Sequence, residues 1–161
     1  MNISLTTPTL DELSPILTLI QELYDFELLS INANDTLPAL KAVLDQPQLG
    51  HVFQIEMTEN KHTELVGYII LTYSFSVEHG GRIALIDQFY IKPDWRSKGI
   101  GSIVIPKIEE VITEAGAHAL MLETNIGNSG ARTFYENHDF IPRRQSCMMS
   151  KKIDVPFSKP L

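Results

Sequence analysis

Apolar residues recur at helical spacing near the start, the middle and the end of the chain, and alternate with period two in between. Leu13, Ile16, Leu17, Ile20, Leu23 and Tyr24 mark one helix, which follows a short strand at Ile3 to Leu5. Thr9 with Glu12 has capping-box spacing, while Ser14 before Pro15 puts proline at the first helical position. The two signals combine as a preliminary turn from Thr9 and a regular helix from Ser14. Asp25 to Asn34 is expected to be a loop. A second, short helix carries Leu37, Leu40, Val43 and Leu44 on one side and ends at Pro47 and Gly50.

From His51 the period becomes two. His51 to Thr58 and Glu64 to Ser76 are strands joined by a polar turn at Glu59 to Thr63, and Ile83 to Ile91 is the next strand after the turn Val77 to Arg82. Both faces of this sheet are expected to be covered. Ile100, Ile103, Val104, Ile108, Val111, Ile112 and Ala115 then form a helical stripe, with Gly116 at the C-terminal position. Pro106 inside it removes a hydrogen bond and predicts a kink or a displaced start. Ala119 to Thr124 is a buried strand and Ser129 to Asn137 a helix with Ala131, Phe134 and Tyr135. Phe140 and Ile141 begin another strand, with Ser146 to Lys152 pairing beside it, and the tail from Ile153 lies along the surface. The order is β-α-α-β-β-β-α-β-α-β-β, an α+β or mixed α/β fold with antiparallel strands first and a β-α-β unit in the middle.

Composition narrows the class. The 161 residues suit a single domain, 1–161, and 43% hydrophobic with 20% charged residues is an ordinary globular balance. A net charge of -7 argues against a nucleic-acid-binding surface. The single cysteine, Cys147, forms no internal disulfide. Without a basic, apolar leader or a run of 18 apolar residues, the chain is expected to be cytoplasmic and membrane-free. Asn2 and Asn34 open N-x-S/T triplets, which match by chance when no leader is present.

One stretch stands out against the acidic background. Ile86 to Ser102, I-D-Q-F-Y-I-K-P-D-W-R-S-K-G-I-G-S, runs from an apolar strand through a proline turn into a basic, glycine-bearing loop and then a helix. Arg96, Lys98, Gly99 and Gly101 at a helix mouth make a sound anion site. The first-turn amides point outward, the dipole adds positive charge, and glycines admit a phosphate oxygen to the backbone. Glycines also punctuate many surface loops, and cations usually face water, so the setting between strand and helix is what gives the signal weight. A dinucleotide site fails because Val104 stands where G-x-G-x-x-G needs its third glycine. No P-loop sequence occurs. His51, His62, His79, His118 and His138 lack ligand spacing, so no metal is expected.

The block I-D-Q-F-Y-I-K-P-D-W-R-S-K-G-I-G resembles the strand, Pro-x-x-Arg turn and R-x-x-G-x-G loop of the GNAT superfamily of acyl-coenzyme A dependent N-acetyltransferases. N-S-G-A-R-T-F-Y-E-N-H-D-F, Asn128 to Phe140, is similar to that family's N-x-x-A-x-x-F-Y-x-x-x-G-F, and two ordered motifs are more specific than one. The resemblance implies acetyl-CoA as co-substrate, its pyrophosphate held at Arg96, Ser97, Lys98, Gly99, Ile100, Gly101 and Ser102, chiefly by the amides from Ser97 to Ser102. It implies main-chain hydrogen bonds from Ile91 to the pantetheine arm, Asn128 near the pantetheine end, and Tyr135 beside the thioester sulfur. Asn128 is equally acceptable as a helix N-cap, and Tyr135 as core. Asp139 stands where the family usually has glycine, as does Ser97; both are tolerable, Asp139 because aspartate accepts a left-handed backbone.

An amine attacks a thioester only when uncharged, so a base must take its proton, and the departing thiolate is helped by a donor such as a tyrosine hydroxyl. Asp87 is named as the base, on a face shared with Leu85, Phe89 and Ile91. Glu123 and Glu27 are rivals, and a structural carboxylate paired to backbone or Arg82 is the alternative. T-Y-S-F-S-V-E-H-G-G-R and L-I-Q-E-L-Y-D-F-E also look like the branch containing spermidine/spermine N-acetyltransferases, which implies that Asp25 and Glu27 face a cationic acceptor; a solvated helix end explains them equally. Cys147 lies in a strand-like run with no histidine beside it, so direct transfer to a small-molecule primary amine is expected. The alternatives are a non-catalytic acyl-CoA-binding sensor and a protein N-acetyltransferase. Exposed strand edges predict a homodimer.

Overall fold

The structure, a computed structural model, describes residues 2–28, 33–143, 147–151 and 153, without the side chains of 33 and 34. The chain gathers into two compact units, Met1–Glu123 and Thr124–Leu161. The first holds one five-stranded sheet in the order β1 (Asn2–Thr6), β2 (Gly50–Glu59), β3 (His62–Ser76), β4 (Gly81–Ile91), β5 (Leu120–Leu122). The first three pairings are antiparallel, and β4 pairs with β5 in parallel across a helical crossover. The β2–β3 turn is shorter than the polar run predicts. Glu59 already pairs with His62, and only Asn60 and Lys61 turn, at φ 50° and 66°, the two left-handed residues of a tight hairpin.

Helix α1 (Leu13–Glu27) buries Leu13, Ile16, Leu19, Ile20 and Leu23. Together with Leu40 of α2 (Ala33–Asp45) they meet Val52, Tyr68, Ile70 and Tyr90 on one face of the sheet. The stripe predicts this helix well, and a short 3-10 turn at Leu10–Glu12 precedes it. The Thr9 N–H and hydroxyl both donate to Glu12 Oε2, at 2.8 and 2.9 Å. The helix does not stop at Asp25. It continues to Glu27 and is capped by Leu28 in the left-handed conformation, φ 56°, so the loop expected from Asp25 is corrected, and residues 29–32 lie outside the described residues. Hydrogen bonding to Gln21 one turn earlier satisfies Asp25 within the helix, a local fact that hydrophobic periodicity does not register.

On the sheet's other face Phe53, Ile55, Ile69, Leu71 and Ile86 are also buried. Helix α3 (Ile100–Glu114) contributes the buried stripe Ile100, Val104, Ile105, Ile108 and Ile112. Its start is not displaced by Pro106: the helix begins at Ile100 and runs through the proline, whose ring is exposed. Ala117 N–H to Ile112 O at 2.9 Å and Gly116 N–H to Thr113 O at 2.9 Å close its end, as Gly116 predicts.

The second unit holds α4 (Ser129–Glu136). Neither strand expected after α4 is formed among the described residues, so the observed order is β-α-α-β-β-β-α-β-α. Phe140 spends its N–H on closing α4, donating to Tyr135 O at 3.1 Å, after Asp139 turns the chain at φ 64°. Ser146 and Lys152, the expected ends of the last strand, lie outside the described residues.

Candidate active site

Two features of β4 shape the site. Gly67 of β3 lies opposite Ile91, and a Cβ on Gly67 would stand 2.2 Å from Tyr90 O, so only glycine lets the strands close there. Farther back, Ile70 pairs with Gln88 but Leu71 pairs with Ile86, which leaves Asp87 as an extra, unpaired residue. This is a β-bulge, and bulges re-aim a side chain. Leu85, opposite Thr72, and Gln88, opposite Ile70, fall on the α1 side, whereas Phe89 and Ile91 fall on the other. The charge of Asp87 acts on Tyr24 and Tyr68. Asp87 therefore shares a face with Leu85 but not with Phe89 and Ile91. Strict alternation cannot reveal this, because the bulge resets the period.

Around Asp87 lies a polar network that sequence reasoning missed. The Tyr68 hydroxyl, on a buried residue, donates to Gln88 Oε1 at 2.9 Å, and Gln88 Nε2 donates to the Tyr24 hydroxyl oxygen at 3.4 Å. Tyr90 OH donates to Glu22 Oε2 at 3.0 Å. Asp87 is exposed by surface area yet crowded by protein, and that crowding raises its pKa above the usual carboxylate value. Tyr24 is raised by burial and then by the charges of Asp87 and Glu27; Tyr68 is raised far more, mainly by burial. Both remain protonated hydroxyls at neutral pH. Tyr68 and Tyr90 face each other across β3 and β4, but a sequence scan sees two tyrosines in apolar strands and no register.

The acidic candidates separate. Asp87 and Glu27 act on the same two tyrosines, whereas Asp25 accepts from Gln21 Nε2 at 2.8 Å on the exposed helix surface. Glu123 is exposed just beyond β5. Arg82 donates to Ala115 O at 3.0 Å and lies 5.1 Å over the Tyr73 ring, occupied away from Asp87.

The loop after β4 is held from several sides. Pro93–Trp95 forms a 3-10 turn, with Trp95 Nε1 donating to Glu64 Oε1 at 3.1 Å and Lys92 Nζ 3.8 Å from the same oxygen. Arg96 Nε donates to Ile91 O at 2.8 Å, and its guanidinium stacks on Phe26 and Tyr90. Lys98 Nζ lies 4.4 Å from the Trp95 ring centre. Both predicted cations thus rest on aromatic faces, and the Ile91 carbonyl already has a donor. Ser97 and Gly99 are left-handed, at φ 58° and 78°. Gly99 is the N-cap of α3, no side chain caps that end, and a Cβ on Gly99 would meet nothing within 4 Å. Ile100 and Gly101 are buried and Ser102 is exposed, so the first-turn amides form an uncapped helix mouth with open space before it. That geometry fits a diphosphate. The β4–β5 pairing ends at Ile86–Leu122, so the last five residues of β4 extend past it toward this loop.

In the second unit Asn128 is the N-cap of α4, its Oδ1 accepting from Ala131 N–H at 3.0 Å. Tyr135 is half-buried and packs edge-on against Phe134 and Phe140, with ring centres 5.0 and 5.3 Å apart. His138 Nδ1 bonds Phe134 O at 2.7 Å. Among the described residues no group of three metal-ligating side chains occurs, and no helix is long and apolar enough to cross a membrane.

Residues 17–140 match the Acetyltransferase (GNAT) family. The chain is 33% identical to thialysine N-epsilon-acetyltransferase of Bos taurus over 126 residues, covering 75% of this chain and 74% of the relative. It is 35% identical to aminoalkylphosphonate N-acetyltransferase of Salmonella typhimurium strain LT2 over 75 residues, 47% of this chain and 49% of that one. An integron cassette protein from the mobile metagenome of Cole Harbour Salt Marsh superposes with a TM-score of 0.77 at 26% identity, over 94% of this chain and 91% of the other. With the uncapped, left-handed loop at the head of α3, these likenesses place the chain in the GNAT acetyltransferase family, as an acetyl-CoA dependent N-acetyltransferase.

Proposed function

We propose that the chain acetylates the primary amine of a small, cationic molecule by direct attack, with Asp87 as the base that frees the amine and Tyr135 as the donor to the departing sulfur. Acetyl-CoA supplies an acetyl group activated as a thioester. The amides from Ser97 to Ser102 hold its diphosphate, the Ile91 N–H serves the pantetheine arm, and Asn128 orients the far end of that arm while capping α4. Arg96 and Lys98 stabilise the loop's shape and add positive charge near it.

The observation that carries this reading is the bulge at Asp87. It aims one carboxylate toward the α1 side of the sheet, beside tyrosines that also feel Glu27, and crowding raises the pKa of Asp87. A raised pKa makes the carboxylate a stronger base. The amine nitrogen passes its proton to Asp87, directly or through one water, and attacks the acetyl carbon. The tetrahedral intermediate then collapses: the carbon–sulfur bond breaks, the thiolate takes the Tyr135 hydroxyl proton, and the surplus proton of the nitrogen passes through water to the Tyr135 oxygen, restoring the phenol. Glu27 and Asp87 together favour a positively charged acceptor, with Asp25 adding charge from the helix surface. The two relatives named above are named for amines, thialysine and aminoalkylphosphonate.

A thiol-release assay with acetyl-CoA across a panel of diamines, polyamines, thialysine, amino acids, aminoalkylphosphonates and lysine peptides tests the acceptor class. Turnover is expected with small diamines or thialysine. Turnover confined to lysine peptides would overturn the small-molecule reading. Tyr135→Phe is expected to lower kcat about a hundredfold with coenzyme A affinity within about twofold; an unchanged kcat would remove Tyr135 from its part.

A further inference from the structure

Phe26 is 60% exposed, one residue before the end of α1, and hydrophobic burial does not account for it. What its ring does meet is a cation: the Arg96 guanidinium carbon lies 4.9 Å from the Phe26 ring centre and 5.2 Å from that of Tyr90. Tyr90 is itself 4% exposed and anchored through its hydroxyl to Glu22, which sits four residues before Phe26 on the same helix. Arg96 thus contacts two aromatic side chains, one on α1 and the other tied to it, while its Nε holds Ile91 O across the Pro93–Trp95 turn. The next residue, Ser97, is in the left-handed region at φ 58°, a conformation that a non-glycine residue keeps only when its neighbours are fixed.

We propose that Phe26 and Tyr90 are positioning residues for acetyl-CoA binding: they stack on the Arg96 guanidinium and so hold the loop that follows it in its binding shape. This rests on the reading that the amides from Ser97 to Ser102 hold the diphosphate. Arg96 acts here through the loop, because its Nε is bonded to Ile91 O and its guanidinium lies against both rings. Lysine cannot replace it, since an ammonium has neither the plane to stack nor the Nε to reach Ile91 O. The arrangement also joins the acceptor side to the cofactor side, because Phe26 precedes Glu27, whose charge acts on Tyr24 and Tyr68.

The test is coenzyme A binding by calorimetry, with acetyl-CoA KM alongside, in the full chain and in Phe26→Ala, Phe26→Leu, Phe26→Trp and Arg96→Lys. A cation–π contact at a half-exposed site predicts about three- to tenfold weaker binding for Phe26→Ala and Phe26→Leu, and binding within about twofold of the wild type for Phe26→Trp. KM for acetyl-CoA should rise in step while kcat moves less. Phe26→Ala made on top of Arg96→Lys should cost little more, because the contact is already gone. Thermal melts establish that each variant folds, and the exposed position makes that the expected result. Phe26→Leu binding like the wild type, or additive losses in the double variant, would overturn the proposal. A wild-type chain that takes up no coenzyme A would instead overturn the loop assignment, and this inference with it.

Discussion

Asp87 occupies a position that exists only because β4 has one residue more than β3 along their pairing. Its pKa is raised by desolvation, and the sign of that shift has two consequences. The proposed role as base requires Asp87 to be ionised, so the acidic limb of kcat/KM against pH should fall above the usual carboxylate value of about 4. Asp87→Asn should remove that limb and lower kcat by about 10²- to 10³-fold. For stability, a carboxylate whose folded pKa exceeds its unfolded pKa favours the fold when protonated. That contribution is fully present below the unfolded pKa and is lost as pH rises through the folded one. Asp87→Asn should therefore melt at or above the wild-type temperature at pH 7, with the difference shrinking below about pH 4. A variant that loses both activity and melting temperature at neutral pH would mark Asp87 as structural, the alternative that pairing with Arg82 would have supplied had Arg82 not turned to Ala115 O.

At the scale of elements, what the sequence discloses depends on how local the cause is. The α3 stripe, the Thr9–Glu12 turn, the α4 N-cap at Asn128 and the left-handed Asp139 are all set within a few residues, and each is legible. The bulge at Asp87, the Tyr68–Gln88–Tyr24 chain and the Arg96 stack join residues from separate elements, and periodicity has no access to them. The strands expected after α4 are absent among the described residues for a related reason, since a strand-like run does not say whether a partner edge is offered. Pro106 is a third kind of case: the local rule is right, but the buried face of the helix outvotes it. Five buried apolar side chains flank the proline in α3 besides Gly101, and burying each contributes roughly 1.5–3 kcal/mol. The missing hydrogen bond and the crowded ring still cost something. Pro106→Ala should raise the unfolding free energy by about 1–2 kcal/mol, less than the full helix-interior penalty because proline also restricts the unfolded chain. A urea titration should show a higher midpoint at unchanged slope. A lower midpoint would mean that the proline ring makes contacts its exposure does not suggest.

Taken whole, the molecule presents different long-range fields to its two substrates. The chain carries a net charge of -7, and coenzyme A is a polyanion, so general electrostatics repels the cofactor and attracts a cationic amine. On the proposed reading acetyl-CoA is then held by short-range donors, the amides at the head of α3 on a loop braced by Arg96 and Lys98, whereas the amine is steered from a distance toward Asp87 and Glu27. Salt separates the two effects. Raising ionic strength from about 0.01 M to about 0.15 M shortens the screening length from roughly 30 Å to roughly 8 Å, which removes steering but leaves direct contacts largely in place. For the amine, kcat/KM should fall with salt, by about twofold for a singly charged acceptor and more than fivefold for a triply charged one. For acetyl-CoA, kcat/KM should hold or rise over the same range, because screening relieves the repulsion. The acceptor's charge is the control: equal salt losses for acceptors of charge one and three would show that the acidic surface has no part in choosing the amine. The proposed preference for a cation would then rest on the proposed contacts of Asp87 and Glu27 alone.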